Sequence, residues 1–150
     1  MNYTIRKPEA SELQTIAQFQ IDMAWETENL KLDTETVNKG VKHVFDHPQI
    51  GNYWVAEADN EVIACLLTVY EWSDWRNGNV LWIHSLYVKE SYRKKGVFKS
   101  MYTYLKEMVE KSDEFRGIRL YVEKTNLNAQ QVYEAIGMTK EHYELYEWLK

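Results

Sequence analysis

The spacing of apolar residues changes near residue 96, and this change limits the fold more than any other feature of the sequence. Residues 79–88 are rich in β-branched and aromatic side chains, a pattern that predicts a strand. After a short loop that contains Gly96, the apolar residues recur at helical spacing: Phe98, Met101, Tyr102, Leu105, Met108 and Val109. The chain therefore contains a strand–loop–helix unit, whose helix must cover one face of a sheet.

The region before this unit predicts one strand and two helices. Residues 2–6 have the pattern of a short strand, and Ser11-x-x-Gln14 has the form of a capping box at the start of a helix. Asp33 is predicted to cap a second helix, which Pro48 ends. Both helices carry apolar residues on one face only, so each is expected to pack against the sheet.

Strands then dominate the sequence as far as the long helix. They are predicted at 53–56 and 61–71, followed by the strand at 79–88. Asn77-Gly78 predicts a type I′ turn between the last two strands, because that turn needs two residues that tolerate a positive φ.

The C-terminal third predicts a strand, a helix and a strand. The first strand lies at 118–122, and the helix at 127–136 ends with Gly137 in the left-handed conformation. The last strand is predicted at 141–149, where aromatic residues are frequent.

The element order is thus β-α-α-β-β-β-α-β-α-β. It predicts an α+β fold with a central mixed, mostly antiparallel sheet and helices on both faces, and excludes a doubly wound Rossmann domain. Residues 1–150 show no linker, repeat or low-complexity segment, so we expect one domain.

Composition excludes several classes of protein. The net charge of −5 argues against a nucleic-acid partner. No apolar segment approaches a membrane-spanning length, and the first residues lack the apolar core of a secretory signal, so a cytoplasmic protein without a membrane partner is expected. The lone Cys65 lies in an apolar run and is predicted to be a buried, inert thiol.

The loop before the long helix is basic in an otherwise acidic chain. It contains Arg93, Lys94, Lys95 and Gly96, directly before the helix. The positive end of the helix dipole, the N–H groups of the first turn and the cationic side chains all favour a phosphate group there. The alternative interpretation is a solvated basic first turn.

A second informative stretch runs from Asn126 to Met138. Its Tyr133 shares a helical face with Ala129 and Ile136, which fits core packing. The functional alternative is a phenol that donates a proton at a site.

Together the two stretches resemble the GNAT superfamily of acetyl-CoA-dependent N-acetyltransferases, nearest in motif to its small-amine and polyamine-type members. The segment 93–98 matches the pyrophosphate signature Arg/Gln-x-x-Gly-x-Gly/Ala, except that Phe98 replaces the last small residue. The second stretch matches Asn-x-x-Ala-x-x-x-Tyr-x-x-x-Gly-Phe, with Met138 in place of the final aromatic residue. The element order also fits a GNAT-like fold.

The resemblance implies a set of residues for the acyl donor. Backbone groups of strand 79–88 would bind the pantetheine arm, with an N–H near Leu86 or Tyr87 polarising the thioester carbonyl. Asn126 would brace the arm and Tyr133 would protonate the departing thiolate. The complete cofactor-binding set is Leu86, Tyr87, Val88, Arg93, Lys94, Lys95, Gly96, Val97, Phe98, Asn126 and Ala129.

The general base is less well defined. Polyamine-type members of the family carry a Glu at the position that corresponds to His84. A histidine can take the proton directly or through water, because its ordinary pKa lies near neutrality. A packed strand histidine and an ordered water chain remain the alternatives.

The resemblance places the acceptor between the first two helices and the hairpin before strand 79–88. The segments there are acidic and aromatic, which suits a small cationic amine such as a polyamine, a lysine-like compound or an aminoglycoside. Solvated surface residues are the plain alternative. The candidates are Trp25, Glu26, Glu28, Asp33, Glu35, Tyr70, Glu71, Trp72, Asp74 and Trp75.

Other functions also fit the sequence. A protein or peptide N-acetyltransferase and a non-catalytic CoA-binding module remain alternatives to a small-molecule enzyme. His43 and His47 have metal-compatible spacing but no third ligand, so no metal is expected. The aromatic residues from Tyr143 to Trp148 fit either a homodimer surface or the last strand of the sheet.

Overall fold

The computed structural model describes residues 2–150, which form five strands and four α-helices. Short 3₁₀ turns at Ala10–Glu12 and Glu90–Tyr92 precede the first and third helices. In chain order the elements are β1 (Thr4–Arg6), α1 (Leu13–Glu28), α2 (Thr34–Asp46), β2 (Gly51–Ala58), β3 (Glu61–Ser73), β4 (Gly78–Val88), α3 (Val97–Lys111), β5 (Phe115–Leu120) and α4 (Leu127–Ala135). The chain divides into two compact units, one up to Arg119 and one from Leu120 to Lys150.

The strands form one sheet in the order β1-β2-β3-β4-β5. The first four are antiparallel to their neighbours, and pairs such as Val55 with Cys65 and Thr68 with Ile83 fix the register. This architecture confirms the predicted α+β class, with a mostly antiparallel sheet at its centre.

Two helices cover one face of this sheet. Ile16 and Phe19 of α1 and Val41 of α2 are buried in one cluster with Tyr53, Val55, Cys65 and Tyr87 of the strands. These residues alternate along the strands, so a one-residue shift in register would expose the whole set.

The third helix covers the opposite face. Trp54, whose side chain points away from α1 and α2, packs its ring 5.5 Å from that of Tyr104 in α3. Met101 and Leu105 of α3 are fully buried. The Trp54 indole N–H donates to the buried Thr68 hydroxyl at 3.0 Å, so this polar pair is satisfied inside the core.

Local signals predicted the ends of two helices correctly. The Asp33 carboxylate accepts a hydrogen bond from the Thr36 N–H at 2.8 Å and caps α2. Gly137 has a φ of +90° and ends α4. The N–H groups of Gly137 and Met138 donate to the carbonyls of Glu134 and Tyr133, which is a Schellman motif.

The predicted capping box at Ser11 is wrong. Ser11 lies inside the 3₁₀ turn, and the carboxylate of Glu12 instead accepts the N–H of Glu9 at 2.7 Å. Glu12 also forms an ion pair with Arg6 at 2.7 Å. These charged hydrogen bonds shift the start of the helix away from Ser11.

The predicted type I′ turn is also wrong. Asn77 has a φ of +48°, but Gly78 already belongs to β4 and pairs with Ser73, so a four-residue loop joins the strands. Arg116 holds this loop by donating to the carbonyls of Arg76 and Asn77, each at 2.9 Å.

The predicted last strand at 141–149 is not formed. Residues 139–150 contain no strand, and the side chains of Tyr146 and Trp148 are 90% and 88% exposed. A β-rich pattern becomes a strand only where a neighbouring backbone completes the hydrogen-bond ladder, which this segment lacks.

Candidate active site

The loop between β4 and α3 has the geometry of an anion-binding turn. Gly96 caps α3 with a φ of +77° and no side-chain hydrogen bond, and Lys94 also has a positive φ. The first hydrogen bond within the helix runs from the Ser100 N–H to the Gly96 carbonyl at 3.0 Å. The N–H groups of residues 97–99 therefore precede the helical ladder, at the positive end of the helix dipole.

Open space surrounds this turn. A Cβ added at Gly96 would meet no atom of the described residues within 4 Å, so this side of the turn is open at Gly96. Lys94 and Lys95 are exposed, and the Tyr3 hydroxyl anchors the loop by donating to the Lys95 carbonyl at 3.0 Å. Cations, a bare helix start and free space together fit a diphosphate group.

Phe98, the unusual residue of this segment, does not fill the loop. Its side chain is buried on the core side of α3 together with Val97 and Met101. The backbone of the first helical turn can therefore face a ligand while the ring packs inside.

Arg93 has a different environment from the two lysines that follow it. Its Nε donates to the Val88 carbonyl at 2.9 Å, and its guanidinium lies 5.6 Å from the centre of the Tyr87 ring. It also forms an ion pair with Glu26, which accepts the Tyr87 hydroxyl at 3.2 Å. Arg93 thus joins the loop to β4 and α1, a link that the sequence analysis did not predict.

A β-bulge interrupts β4 next to this link. Cys65 pairs with Tyr87 and Leu67 pairs with His84, so two residues of β4, Ser85 and Leu86, lie opposite one residue of β3. Ser85 has a φ of +52°. A bulge leaves its extra residue outside the ladder, so backbone groups here can turn toward a ligand.

His84 immediately precedes the bulge and is half-buried. Because His84 and Tyr87 pair with residues of the same β3 face, both side chains lie on the side of the sheet that α1 and α2 cover. The His84 ring stacks on Trp82 with 6.1 Å between centroids. Burial lowers the pKa of His84 below its ordinary 6.5, so the imidazole is neutral at neutral pH and can accept a proton.

A cleft of about 350 Å³ lies between α1, α2 and the bulge. Its polar lining consists of Gln20, Thr27, Glu28, Tyr53 and Ser85. Its apolar lining consists of Met23, Ala24, Leu30, Leu32, Val37 and Val41, and Gly40 of α2 completes the wall.

The predicted acceptor residues do not all meet in this cleft. Glu28 lines it, whereas Glu26 pairs with Arg93 and Glu71 pairs with Arg119 at 2.7 Å. Trp25 and Trp72 are 58% and 61% exposed and do not line it. Asp33 caps α2 and Glu35 pairs with Lys39.

The aliphatic residues that line the cleft were missed by sequence reasoning. Met23 and Ala24 belong to the apolar face of the first helix, which was expected to pack against the sheet, because an apolar stripe alone does not separate core from cleft. Tyr70, Asp74 and Trp75 of the hairpin also lie outside the cleft lining.

The second unit carries the other three predicted residues, Asn126, Ala129 and Tyr133. The Asn126 side chain caps α4 by accepting the Ala129 N–H at 3.1 Å. Burial raises the pKa of the half-buried Tyr133, so its phenol keeps its proton at neutral pH.

Residues 2–150 contain no group of three His, Cys, Asp or Glu side chains that could hold a metal ion. His43 and His47 stack with 4.0 Å between ring centroids, and His47 Nδ1 lies 2.8 Å from the His43 carbonyl. Within the same described range, no helix has both the length and the hydropathy needed to cross a bilayer.

Comparisons with known proteins agree with this geometry. The family model of the acetyltransferase (GNAT) family matches residues 10–138. A search of curated proteins found no match. Among solved structures, a possible acetyltransferase from Clostridium difficile 630 is 41% identical, with a TM-score of 0.91 over 100% of this chain and 99% of the other.

More distant structures share the fold. A predicted acetyltransferase from Clostridium acetobutylicum, solved with acetyl-CoA, is 18% identical, with a TM-score of 0.73 over 97% of this chain and 96% of the other. A ribosomal-protein-alanine N-acetyltransferase from Brucella melitensis biovar Abortus 2308 is 12% identical, with a TM-score of 0.80 over 99% and 100%. Because the family model matches residues 10–138 and a structure of 41% identity aligns over the whole chain, this protein belongs to the GNAT family of acetyltransferases.

Proposed function

We propose that this protein acts in the cytoplasm and transfers the acetyl group of acetyl-CoA to the primary amine of a small substrate that is cationic in water. One observation carries the proposal. The bulge of β4 lines the α1–α2 cleft through Ser85, and the same strand continues into the loop 93–98. A single strand therefore links a space for an amine with a turn suited to a diphosphate.

In this proposal the loop binds the donor. The first-turn N–H groups of α3 and the side chains of Lys94 and Lys95 hold the diphosphate, while Arg93 keeps the loop attached to β4. Backbone groups of Leu86 hold the pantetheine arm. The carbonyl of Val88 accepts Arg93 Nε, so Arg93 already engages the backbone at that strand end.

Acetyl-CoA supplies an acyl group that is already activated as a thioester. The bulge assists by directing an N–H of Leu86 or Tyr87 at the position where negative charge develops on the carbonyl oxygen. The positive φ of Ser85 supports this role, because it turns the backbone out of the ladder at that point.

His84 is proposed to remove the proton that the amine must lose before it attacks. Its lowered pKa keeps it neutral, and its position next to Ser85 supports access to the cleft, directly or through one water. A C–N bond then forms as the C–S bond breaks. Tyr133, whose raised pKa keeps the phenol protonated, is proposed to give its proton to the leaving thiolate, with Asn126 and Ala129 at the start of the same helix.

Polyamines belong in the first substrate panel, because the sequence motif resembles polyamine-type enzymes. Acetylation of a peptide N-terminus is the second candidate, and the structural likeness to a ribosomal-protein-alanine N-acetyltransferase concerns the fold. The burial of the Phe98 ring weakens the third candidate, a module that has lost catalysis, because the ring does not block the loop.

The test is a thermal-shift titration with acetyl-CoA, followed by CoA-release assays with small amines and peptides. At about 100 times its dissociation constant, a ligand of the folded state raises stability by ~2.7 kcal/mol, or roughly 5–10 °C in Tm at this chain length. A shift with acetyl-CoA but not with ATP, together with turnover of small amines, supports the proposal. Turnover of peptides but not of small amines would instead support the second candidate, acetylation of a peptide N-terminus. Binding of acetyl-CoA without any turnover would support the third candidate, a module that has lost catalysis.

A homodimer is part of the proposal as well. The exposed side chains of Tyr143, Leu145, Tyr146, Trp148 and Leu149 support it, because aromatic residues are enriched at protein interfaces. Sedimentation equilibrium of the full chain, beside a Tyr146→Ser variant, tests this point. A monomer at all concentrations would remove the dimer from the proposal.

A further inference from the structure

The α1–α2 cleft carries very little charge for a site that receives a cation. Glu28 is the only charged residue among those that line it in the described part of the chain. Buried Val41 and Ala24 and the half-buried Met23 and Val37 form the apolar part of its wall together with Leu30 and Leu32. An ammonium group placed along this wall would lose its hydration without gaining a partner, which is costly.

Two of the five polar lining residues make hydrogen bonds within the protein. Gln20 Nε2 lies 3.4 Å from the Ile16 carbonyl and 3.5 Å from Cys65 Sγ, and the Thr27 hydroxyl donates to the Met23 carbonyl at 2.8 Å. The lining therefore offers an occupant mainly apolar contact. A largely apolar lining with a few polar groups is typical of pockets for small molecules.

Gly40 forms part of this wall, although the helix itself does not require a glycine at that position. It lies in the middle of α2, where glycine is among the least favourable residues, and its φ is not positive. A Cβ at this position would meet no atom within 4 Å, so no close approach of another element demands a glycine. The effect of the missing side chain is a wider cleft.

We propose that the cleft selects a primary amine with one apolar body, such as an alkyl or aromatic chain, and that Gly40 sets the size of body that fits. The reacting nitrogen lies at the Ser85 end beside the bulge, and the body lies along Met23, Val37 and Val41. Glu28 at the end of α1 attracts the cationic amine during entry. This inference rests on the proposed function, because it assigns the acceptor of the same reaction.

A series of n-alkylamines from propyl to heptyl tests the proposal. Each added methylene that leaves water should raise kcat/KM about fourfold until the chain fills the cleft. Matched α,ω-diamines of equal length should react more slowly, because their second ammonium group must lie against apolar residues or fold back to water. A flat series, or faster reaction of the diamines, overturns the proposal.

Two substitutions test whether Gly40 limits the chain length of the amine that fits the cleft. In Gly40→Leu and Gly40→Phe the optimum chain length should shorten by one or more methylenes, while the fold is retained because both residues are better helix formers. The control is Lys39→Ala, since Lys39 is the neighbouring residue of α2 and its ammonium is exposed beside Glu35. An unchanged optimum in both Gly40 variants contradicts the assignment of this residue.

Binding is measured separately from turnover. NMR titrations of the protein with the same amines, in the presence of CoA without an acetyl group, give dissociation constants for the unreactive complex. If affinity rises with chain length but no amine is acetylated, the inference on the cleft stands and the proposed reaction fails. If amines are acetylated but neither affinity nor rate depends on chain length, the proposed acetyl transfer stands and the inference of an apolar acceptor fails.

Discussion

Two regions next to the C-terminal half of β4 are built in different ways. Past its last residue the strand leads into the loop 93–98, which combines backbone N–H groups, a glycine turn and exposed lysines. At Ser85 the strand lines the α1–α2 cleft, whose walls come from four separated segments. The first region is determined by consecutive residues, and the second by residues far apart in sequence.

This difference determines what each region can recognise. A diphosphate is bound by groups that every residue supplies, so the loop needs glycine and positive charge and tolerates variation elsewhere. The cleft has no such common element, and each substitution in its lining changes the shape offered to the acceptor. Donor specificity is thus expected to be robust to mutation, and acceptor specificity to change readily.

The largest expected effect is on the rate of the chemical step, with little change in ligand binding at either region. Tyr133→Phe should lower kcat by ~10²–10⁴, because the phenol would no longer protonate the thiolate. The dissociation constant of acetyl-CoA and the KM of the amine should stay within about twofold, as neither region is altered. Steady-state kinetics and a binding titration check this, and an unchanged kcat would return Tyr133 to a packing role.

His84 directly precedes the bulge, and its replacement should affect only proton transfer. In His84→Gln we expect kcat to fall by about 10² at neutral pH, with the loss of an acid limb in the kcat profile. In the parent protein that limb should lie below pH 6.5, because burial lowers the pKa of His84. A profile that is identical in both proteins would favour a water chain as the base.

The same shift predicts how stability varies with pH. The unfolded state binds a proton to His84 more readily than the folded state, so the free energy of unfolding should decrease as pH falls below about 6.5. This contribution should be absent in His84→Gln. Urea titrations between pH 5 and pH 7.5 measure it, and an equal pH dependence in both proteins contradicts the assignment.

Gly96→Asp should weaken donor binding alone. The substitution adds negative charge at the start of α3 and forces a side chain into a φ of +77°, so the dissociation constant of acetyl-CoA should rise about tenfold. Gly96→Ala is the matched control, because it carries the backbone strain without the charge. If both variants bind acetyl-CoA like the parent, the loop is not the donor site.

The smallest effect concerns the wall of the cleft. Asp33→Ala removes the cap of α2 and should lower Tm by about 2–4 °C. Because the cap lies at the start of the helix that contains Gly40, KM for the amine should rise modestly while acetyl-CoA binding is unchanged. Weaker acetyl-CoA binding in this variant would show that the two regions are coupled.

The sequence predicted the parts of the molecule that depend on neighbouring residues. Asp33 and Gly137 mark helix ends through contacts within four residues, and the loop 93–98 follows from a glycine and cations before an amphipathic stripe. The order of strands and helices follows from periodicity in the same way. Each of these features is stabilised locally, so the sequence contains the information in one place.

The failures involve distant partners. The Arg93 guanidinium reaches Glu26 of α1, and Glu71 reaches Arg119, so two residues assigned to the acceptor are engaged elsewhere. Glu12 replaces Ser11 because Arg6 is within reach, and segment 141–149 lacks the neighbouring backbone that a strand requires. The spacing of residues along the sequence does not reveal contacts between positions that are far apart in the chain.

The bulge at Ser85 also determines how β4 responds to the loss of a residue. Before it, the even-numbered Trp82 and His84 face α1 and α2, and after it the odd-numbered Tyr87 does so. The two halves of the strand are therefore out of phase by one position. A deletion of Ser85 would remove this phase shift and leave Tyr87 two positions after His84, so both side chains would still face α1 and α2. The change would stay confined to the bulge, where the left-handed backbone at Ser85 would be lost.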